Sequence, residues 1–369
     1  MYVKKRIADP VRSFGSRASA KNASAWRNKM SINLRGKNFL NLEDYTPAQI
    51  RYLLDLAHQL KAEKKTGINQ KRFVGKNLLM LFEMGSTRTR CSFETSANDL
   101  GMGTTYLANS HFGVKETVAD SMKVFTAMYD VIVYRGLDHG QLLDMAKDCG
   151  IPLINGFTAY EHPTQMLADF MTLEEIWGRN GFKNKNFCFL GNGTNGVAMS
   201  YAVSCAMLGM NFTFVGPLDS AMNDQEEALV RDLFAKYSPN CAFTLTDDIS
   251  AVKGADVLST ENWGDFTAPA ETWIPGIKKF RPYQINKKVI EMTENPEIFV
   301  IHMLPASHNC NHKAGRELMG LLDQETAEFI SKGLEVTDEV FNAYEDVIFR
   351  EAENRQHTIK AVLSAVVGE

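Results

Sequence analysis

Five consecutive residues, Ser86-Thr87-Arg88-Thr89-Arg90, carry the densest chemistry in the chain. They fall where a short apolar run gives way to an amphipathic segment, which is the pattern of a strand-to-helix turn. At such a turn the free N–H groups of a helix N-terminus, hydroxyl donors and a guanidinium can converge on one phosphate, making an anion site without a metal. The plainer reading is a capped helix with solvated arginines, since Ser and Thr are common caps. Other residues of the same character bear on the choice. Arg135, in Tyr134-Arg135-Gly136, follows another strand-like run, and His162-Pro163-Thr164-Gln165 opens a helix after a third. Ligands of open α/β sheets bind beyond the carboxyl ends of strands, so Arg88, Arg135, His162 and Gln165 could share one crevice. Taken singly, His162 also reads as a helix-start residue with a satisfied hydrogen bond. A further element, His302-Met303-Leu304-Pro305, again follows an apolar strand, and Arg355 stands in Glu353-Asn354-Arg355-Gln356-His357.

The elements that must position these groups alternate strand and helix. In the first half, strands are expected at 77–82, 131–134 and 152–155. A first surface helix begins with Thr46 as N-cap and Pro47 at the first helical position, and further helices cover 91–100, 141–149 and 163–177. Gly178-Arg179-Asn180-Gly181 marks the domain junction. Beyond it, a strand at 186–190, a glycine-rich turn, a helix to residue 208 and a strand at 211–215 form a βαβ unit. Later strands are expected at 256–259 and 299–302, and a final helix at 350–366. The fold class is therefore α/β, with two open parallel-sheet, Rossmann-like domains joined by interdomain helices. The turn Gly191-Asn192-Gly193-Thr194-Asn195-Gly196 is a literal GxGxxG, with Asp219 after the next strand. A nicotinamide-dependent oxidoreductase is accordingly a second reading of the chain.

A length of 369 residues exceeds what one core usually supports, which agrees with two domains. The net charge of −4 argues against nucleic acid or an anionic membrane as the main partner, so an anionic substrate needs a local basic pocket. Six cysteines without metal-ligand spacing read as free thiols in a reducing compartment. No apolar run approaches the ~18 residues of a membrane span. Residues 1–32 are basic, with Asp9 as the one acid, and are expected to form a disordered extension. An organellar transit peptide, or a start codon placed upstream of Met30, fits the same composition.

The ordered set of these motifs, with Val336-Thr337-Asp338-Glu339-Val340-Phe341 and Glu353-Asn354-Arg355-Gln356-His357-Thr358-Ile359-Lys360-Ala361, resembles the ornithine carbamoyltransferases from about residue 33 onward. The resemblance implies a carbamoyl-phosphate-binding domain at 33–178, a second-substrate domain at 179–345, and a C-terminal helix at 346–369 returning to the first domain. By matched position, Ser86, Thr87, Arg88 and Thr89 bind phosphate, while Arg135, His162 and Gln165 hold the carbamoyl group. Met303, Leu304 and Arg355 complete that site, with Arg88, Arg135, His162 and Arg355 as the catalytic groups. The family also implies a homotrimer or a multiple of trimers, with His111 reaching a neighbouring subunit, and no metal or cofactor. A cytoplasmic location is expected, or a mitochondrion-like organelle if the basic extension targets one.

On the side of the second substrate the sequence departs from that family. Gly196 stands at a position of Asn, with Asn195 beside it. The loop Glu261-Asn262-Trp263-Gly264-Asp265-Phe266-Thr267 replaces Asp-x-Trp-x-Ser-Met-Gly, and Met303 and Met84 stand at positions of Cys and Lys. A thioether has no ionisable proton to offer an amine. Asn195, Glu261, Asp265 and Phe266 are the candidate contacts of the amine, which is expected to be ornithine. The alternatives are putrescine, a modified ornithine or a ureido compound, or a catalytically silent binding subunit.

Overall fold

The computed structural model describes residues 32–68, 70–108, 110–264 and 268–368, so the basic extension before residue 32 lies outside the described residues, as do Asp265 and Phe266. Two parallel sheets form the framework. The first has the order β2-β1-β3-β4, built from β1 (Asn77–Phe82), β2 (Gly103–Leu107), β3 (Val131–Arg135) and β4 (Leu153–Phe157). The second, β7-β6-β5-β8-β9, uses β5 (Asn186–Leu190), β6 (Asn211–Val215), β7 (Phe243–Thr246), β8 (Val257–Thr260) and β9 (Phe299–His302). A parallel sheet covered by helices on both faces needs strands that are apolar throughout. That is why β1, β3 and β5 read as unbroken runs and are buried nearly end to end. The edge strand β2, with the sequence GTTYL, is exposed or half-buried along its length and carries no such run.

Helices cover both sheets. α1 (Pro47–Lys65) starts in a capping box between Thr46 and Gln49, as expected of Thr46 and Pro47. It is less of a surface helix than its charge implies, because Ile50, Leu53, Leu54, Ala57 and Leu60 are buried. α2 (Thr87–Leu100) begins four residues before the expected start at 91, so Thr87 to Arg90 form its first turn rather than a loop. α3 (Val118–Met128) and α4 (His139–Asp148) follow, then α5 (Pro163–Trp177), whose first twelve residues are all buried. In the second half come α6 (Val197–Leu208), α7 (Asp224–Tyr237), the short α8 (Ile274–Phe280), α9 (Lys287–Met292), α10 (Lys313–Met319) and α11 (Gln324–Ile330). The last helix, α12 (Asp338–Val367), has 30 residues and spans about 45 Å. It starts well before the expected residue 350 and packs against β9 of the second sheet and α1, α2 and α5 beside the first. One apolar cluster accordingly runs from Leu78 and Met80 of β1 through Phe170 of α5 to Phe187 and Phe189 of β5 and Val362 of α12.

The glycine-rich turn locks the two halves together. At Gly196, φ is +78° and a Cβ would lie 2.3 Å from the Tyr160 carbonyl oxygen, so only glycine lets α6 approach the segment before α5 this closely. Ser200 Oγ, one turn into α6, donates to the Gly196 carbonyl at 2.8 Å and accepts from the His162 N–H at 3.0 Å. A Cβ on Gly191 would meet Trp263 Nε1 and one on Gly193 would meet the Phe214 ring, each at 2.8 Å. The three glycines thus serve close protein packing, and Asp219 pairs with Lys279 at 2.8 Å. Among the described residues no helix is long and apolar enough to cross a membrane, and all six cysteines are free.

Gly196→Ala should lower stability by about 2 kcal/mol or more, from left-handed backbone strain plus the clash with Tyr160. The check is the midpoint of urea unfolding; a shift under about 0.5 kcal/mol would contradict this account of the turn.

Candidate active site

Parallel register brings the carboxyl ends of β1, β3 and β4 to one edge: Phe82 lies beside Arg135, and Arg135 beside Phe157, across a register shift. The strand order reverses on either side of β1 and of β5, and such reversals open the crevices where α/β sheets bind ligands. Ser86 sits at the N-cap of α2 in extended conformation, and its hydroxyl makes no capping bond. Thr87 is exposed, Arg88 half-buried and Thr89 buried. His162 occupies the N-cap position of α5, three residues before Gln165.

Arg355 gathers these elements. From α12 its guanidinium donates to Gln165 Oε1, to Thr89 Oγ1 at 3.1 Å and to Thr164 Oγ1 at 3.4 Å, leaving Nε without a partner. Burial lowers its pKa to about 10; Asp169 raises it, Arg88 lowers it further, and Glu351 raises it. Arg135 donates to the Gly156 carbonyl at 3.1 Å and lies over the Phe157 ring, 4.8 Å from its centroid. Its pKa falls to about 9, first through burial and then through Arg355 and Arg88. Phe157, with φ of +153°, also meets the His162 ring edge-on at 5.2 Å, so an unusual backbone places one aromatic ring between two polar groups. Burial and the two arginines push the pKa of His162 well below its usual value, so the ring is neutral. Thr164 Oγ1 lies 3.4 Å from His162 Nδ1 while accepting from Arg355. A hydroxyl proton directed at Nδ1 leaves Nε2–H as the ring's donor.

The structure therefore joins Thr89, Arg355 and Gln165 by direct hydrogen bonds, and links Arg88, Arg135, His162 and Arg355 through their mutual electrostatic influence. Met303 packs at the edge of the large apolar cluster and Leu304 against a second one, both following His302 at the end of β9. His111 is exposed in the segment between β2 and α3. Asp169, Tyr201 and Glu351 were not foreseen. Gln165 Nε2 donates to Asp169 Oδ1 and to Glu351 Oε1, each at 2.7 Å, and the Tyr201 hydroxyl donates to Asp169 Oδ2 at 2.6 Å. The signal available in the sequence was spacing: 165 with 169, and 351 with 355, are helical i,i+4 neighbours.

Directly after β8, Glu261 is wholly buried. Burial raises its pKa well above the usual carboxylate value, opposed by a hydrogen bond from Asn195 and reinforced by Glu335. Its Oε1 has no partner among the described residues. Glu335 accepts from the Ser307 N–H at 2.5 Å and lies 3.2 Å from His302 Nε2, without the angle of a hydrogen bond. Of the four candidate amine contacts, Asn195 and Glu261 are thus brought together, while Asp265 and Phe266 fall outside the described residues.

An arginine-rich crevice at the strand ends of a two-sheet α/β protein defines an anion-handling enzyme of the group-transfer kind. Residues 37–175 match the aspartate/ornithine carbamoyltransferase carbamoyl-P binding domain, and residues 183–366 match the Asp/Orn binding domain of the same family. An ornithine carbamoyltransferase of Staphylococcus aureus is 39% identical over 340 residues, covering 91% of this chain and 99% of that protein. A catabolic ornithine carbamoyltransferase of Treponema denticola is 41% identical over 344 residues, covering 92% of this chain and 98% of its own. The solved ornithine carbamoyltransferase of Pyrococcus furiosus superposes with a TM-score of 0.80 at 33% identity, covering 91% of this chain and 98% of that one. The chain belongs to the aspartate/ornithine carbamoyltransferase family and is a carbamoyltransferase.

Beside the site, the buried carboxyl of Glu161 accepts from the Leu42 N–H at 2.8 Å, and among the described residues its other oxygen has no donor unless the neighbouring Glu43 carboxyl is protonated. Burial, then the neighbouring Glu43, raises its pKa well above 4.5. Such a group subtracts stability as pH rises above the ordinary carboxylate value, because only the unfolded chain releases the proton freely. Glu161→Gln should therefore raise the melting temperature at pH 8 by about 3 °C or more, with the gain fading toward pH 4.5. Melting curves across that range provide the check; a gain that grows on acidification would contradict the assignment.

Proposed function

We propose that the chain transfers the carbamoyl group of carbamoyl phosphate to ornithine, giving citrulline and phosphate. The observation that carries the donor half is the convergence of Arg88, Arg135 and Arg355 with neutral His162 around buried Thr89 and Gln165. Ser86, Thr87, Thr89 and the first-turn N–H groups of α2 take the phosphate, with Arg88 as its counter-charge. A neutral amine attacks the carbamoyl carbon, and charge grows on the carbonyl oxygen. Arg135, His162 Nε2–H and the Thr89 hydroxyl stabilise that oxyanion. The bond from carbon to the phosphate oxygen then breaks, and the amine's proton leaves with the phosphate. Positioning of two substrates by preorganised donors supplies most of the acceleration.

Ornithine as acceptor is supported by the names of the relatives and by Glu261, a buried carboxyl with an unpartnered oxygen suited to an ammonium group. A trimer with His111 contributing to a neighbouring site belongs to the same reading, supported by the exposure of His111.

Arg88→Ala should lower carbamoyl transfer at least a hundredfold, since one oxyanion-type donor contributes ~10²–10³ and a phosphate-binding charge is comparable. Near wild-type turnover in that variant would sink the donor-site assignment. Phosphate release from carbamoyl phosphate should appear with ornithine and not with putrescine, lysine, N-acylated ornithines or ureido acceptors. Release with putrescine alone would replace ornithine as the acceptor, and release with none would favour a silent binding subunit.

A further inference from the structure

The amide of Gln165 is held from both ends. Its nitrogen donates to Asp169 Oδ1 and Glu351 Oε1, and its oxygen accepts from the Arg355 guanidinium. Only one orientation of the amide satisfies this arrangement, because the reverse would set NH2 against a five-donor guanidinium and the carbonyl against two carboxyl groups. Gln165, Asp169, Glu351 and Arg355 are each 3% exposed or less, so water cannot relieve the wrong orientation. Asp169 lies one turn beyond Gln165 on α5, and Glu351 one turn before Arg355 on α12. Two i,i+4 pairs on the interdomain helices therefore face each other across the amide. Glu351 reaches further: a backbone hydrogen bond joins it to β9 at His302, and its charge acts on both Arg88 and Arg355. The second oxygen of Glu351 has no hydrogen-bond partner among the described residues, and the Glu351 and Asp169 carboxyls are close enough to hydrogen-bond when one of them carries a proton.

We propose that Glu351 is a positioning residue for donor selectivity: with Asp169 it locks the Gln165 amide so that its carbonyl oxygen, never its NH2, faces the crevice beside Arg355. The inference rests on the reading of this crevice as the carbamoyl-phosphate site. A carbonyl oxygen has two lone pairs, and the one Arg355 leaves open can accept from the NH2 of a carbamoyl group. An acyl phosphate that carries CH3 in place of NH2 makes no such bond and leaves the oxygen unpaired, which selects against it.

The test titrates the full chain with carbamoyl phosphate and with acetyl phosphate by calorimetry. Wild type should prefer carbamoyl phosphate. Glu351→Leu should lower the preference for carbamoyl phosphate over acetyl phosphate roughly tenfold, one hydrogen bond's worth. Glu351→Gln, whose own carbonyl can accept from Gln165, should restore the preference. Tyr201→Phe, which removes the bond to Asp169 without touching Gln165, should lower the melting temperature and keep the preference. A folded Glu351→Leu with unchanged preference, or with equal losses for both ligands, overturns the proposal, as does a Glu351→Gln that behaves like Glu351→Leu. If Glu351→Leu does not fold, Glu351→Asp, which withdraws the carboxyl by one methylene, decides on the same criterion. Wild type that binds neither ligand would fail the donor-site reading itself, and active wild type with inactive Arg88→Ala but indifferent Glu351 variants would fail this inference alone.

Discussion

Holding three guanidinium groups together away from bulk water is the constraint on which the rest of the molecule depends. Arg88, Arg135 and Arg355 each lose solvation in the crevice, and each lowers the pKa of a neighbour. Unpaired buried charge costs several kcal/mol per ion unless a partner answers it. Arg355 is answered by Gln165, Thr89 and Thr164 in contact and by Asp169 and Glu351 at longer range. Arg135 has one backbone carbonyl and an aromatic face, and among the described residues its Nε has no partner. The two carboxyls behind Gln165 offset only part of the positive charge: burial raises the pKa of both, that of Asp169 to about 6 although a hydrogen bond with Glu351 lowers it, and the charge of Asp169 raises that of Glu351 further. Net positive charge in a poorly solvated crevice is complementary to a phosphate dianion, whose binding supplies the missing counter-charge.

That requirement accounts for the architecture around it. The groups come from β1–α2, β3, α5 and α12, and none of these elements alone could bring opposed side chains within hydrogen-bonding reach. The two helices that face each other across Gln165 are those that pass between the sheets, and α12 is long enough to touch β9 at one end and α1 at the other. The turn before α6 fixes the start of α5 by packing Gly196 directly on the Tyr160 carbonyl and by giving the His162 N–H a hydroxyl acceptor. The sequence Gly-x-Gly-x-x-Gly thus acts through the absence of side chains at a protein–protein contact inside one molecule. The same string would suit a pyrophosphate, and the composition of the turn alone could not distinguish the two uses.

What could be read from the residues divides along physical lines. Strands buried on both faces announce themselves, so 77–82, 186–190, 211–215 and 299–302 were legible to the residue. β2 was not, because an exposed edge strand of Gly, Thr and Tyr has no apolar run. The first three turns of α12 were missed because Glu345, Asp346, exposed Phe349 and Arg350 dilute the apolar stripe. In the site, Arg88, Arg135, His162 and Gln165 were legible because each follows the end of a strand, where the fold class alone predicts ligands. Glu351 and Asp169 were not, since an acidic residue on a helix is usually solvated. Nothing in one sequence shows that both point inward at the same glutamine.

The surroundings of Glu261 and Glu335 have an electrical character opposite to that of the arginine crevice. Glu351 meets the backbone at His302, and His302 Nε2 lies 3.2 Å from Glu335, which in turn acts on Glu261. Among the described residues Glu261 has no neighbouring cation, and Asn195 is the side chain whose hydrogen bond lowers its pKa, so burial holds its proton tightly. An ammonium group entering there would lower that pKa by pairing with the carboxylate, a stabilisation that an anion does not receive. The guanidinium crevice and the buried Glu261 carboxyl therefore suit groups of opposite charge, the carboxyl becoming charged only as a cation pairs with it. The departures at Gly196 and Met303 leave this division intact, because neither residue carries charge.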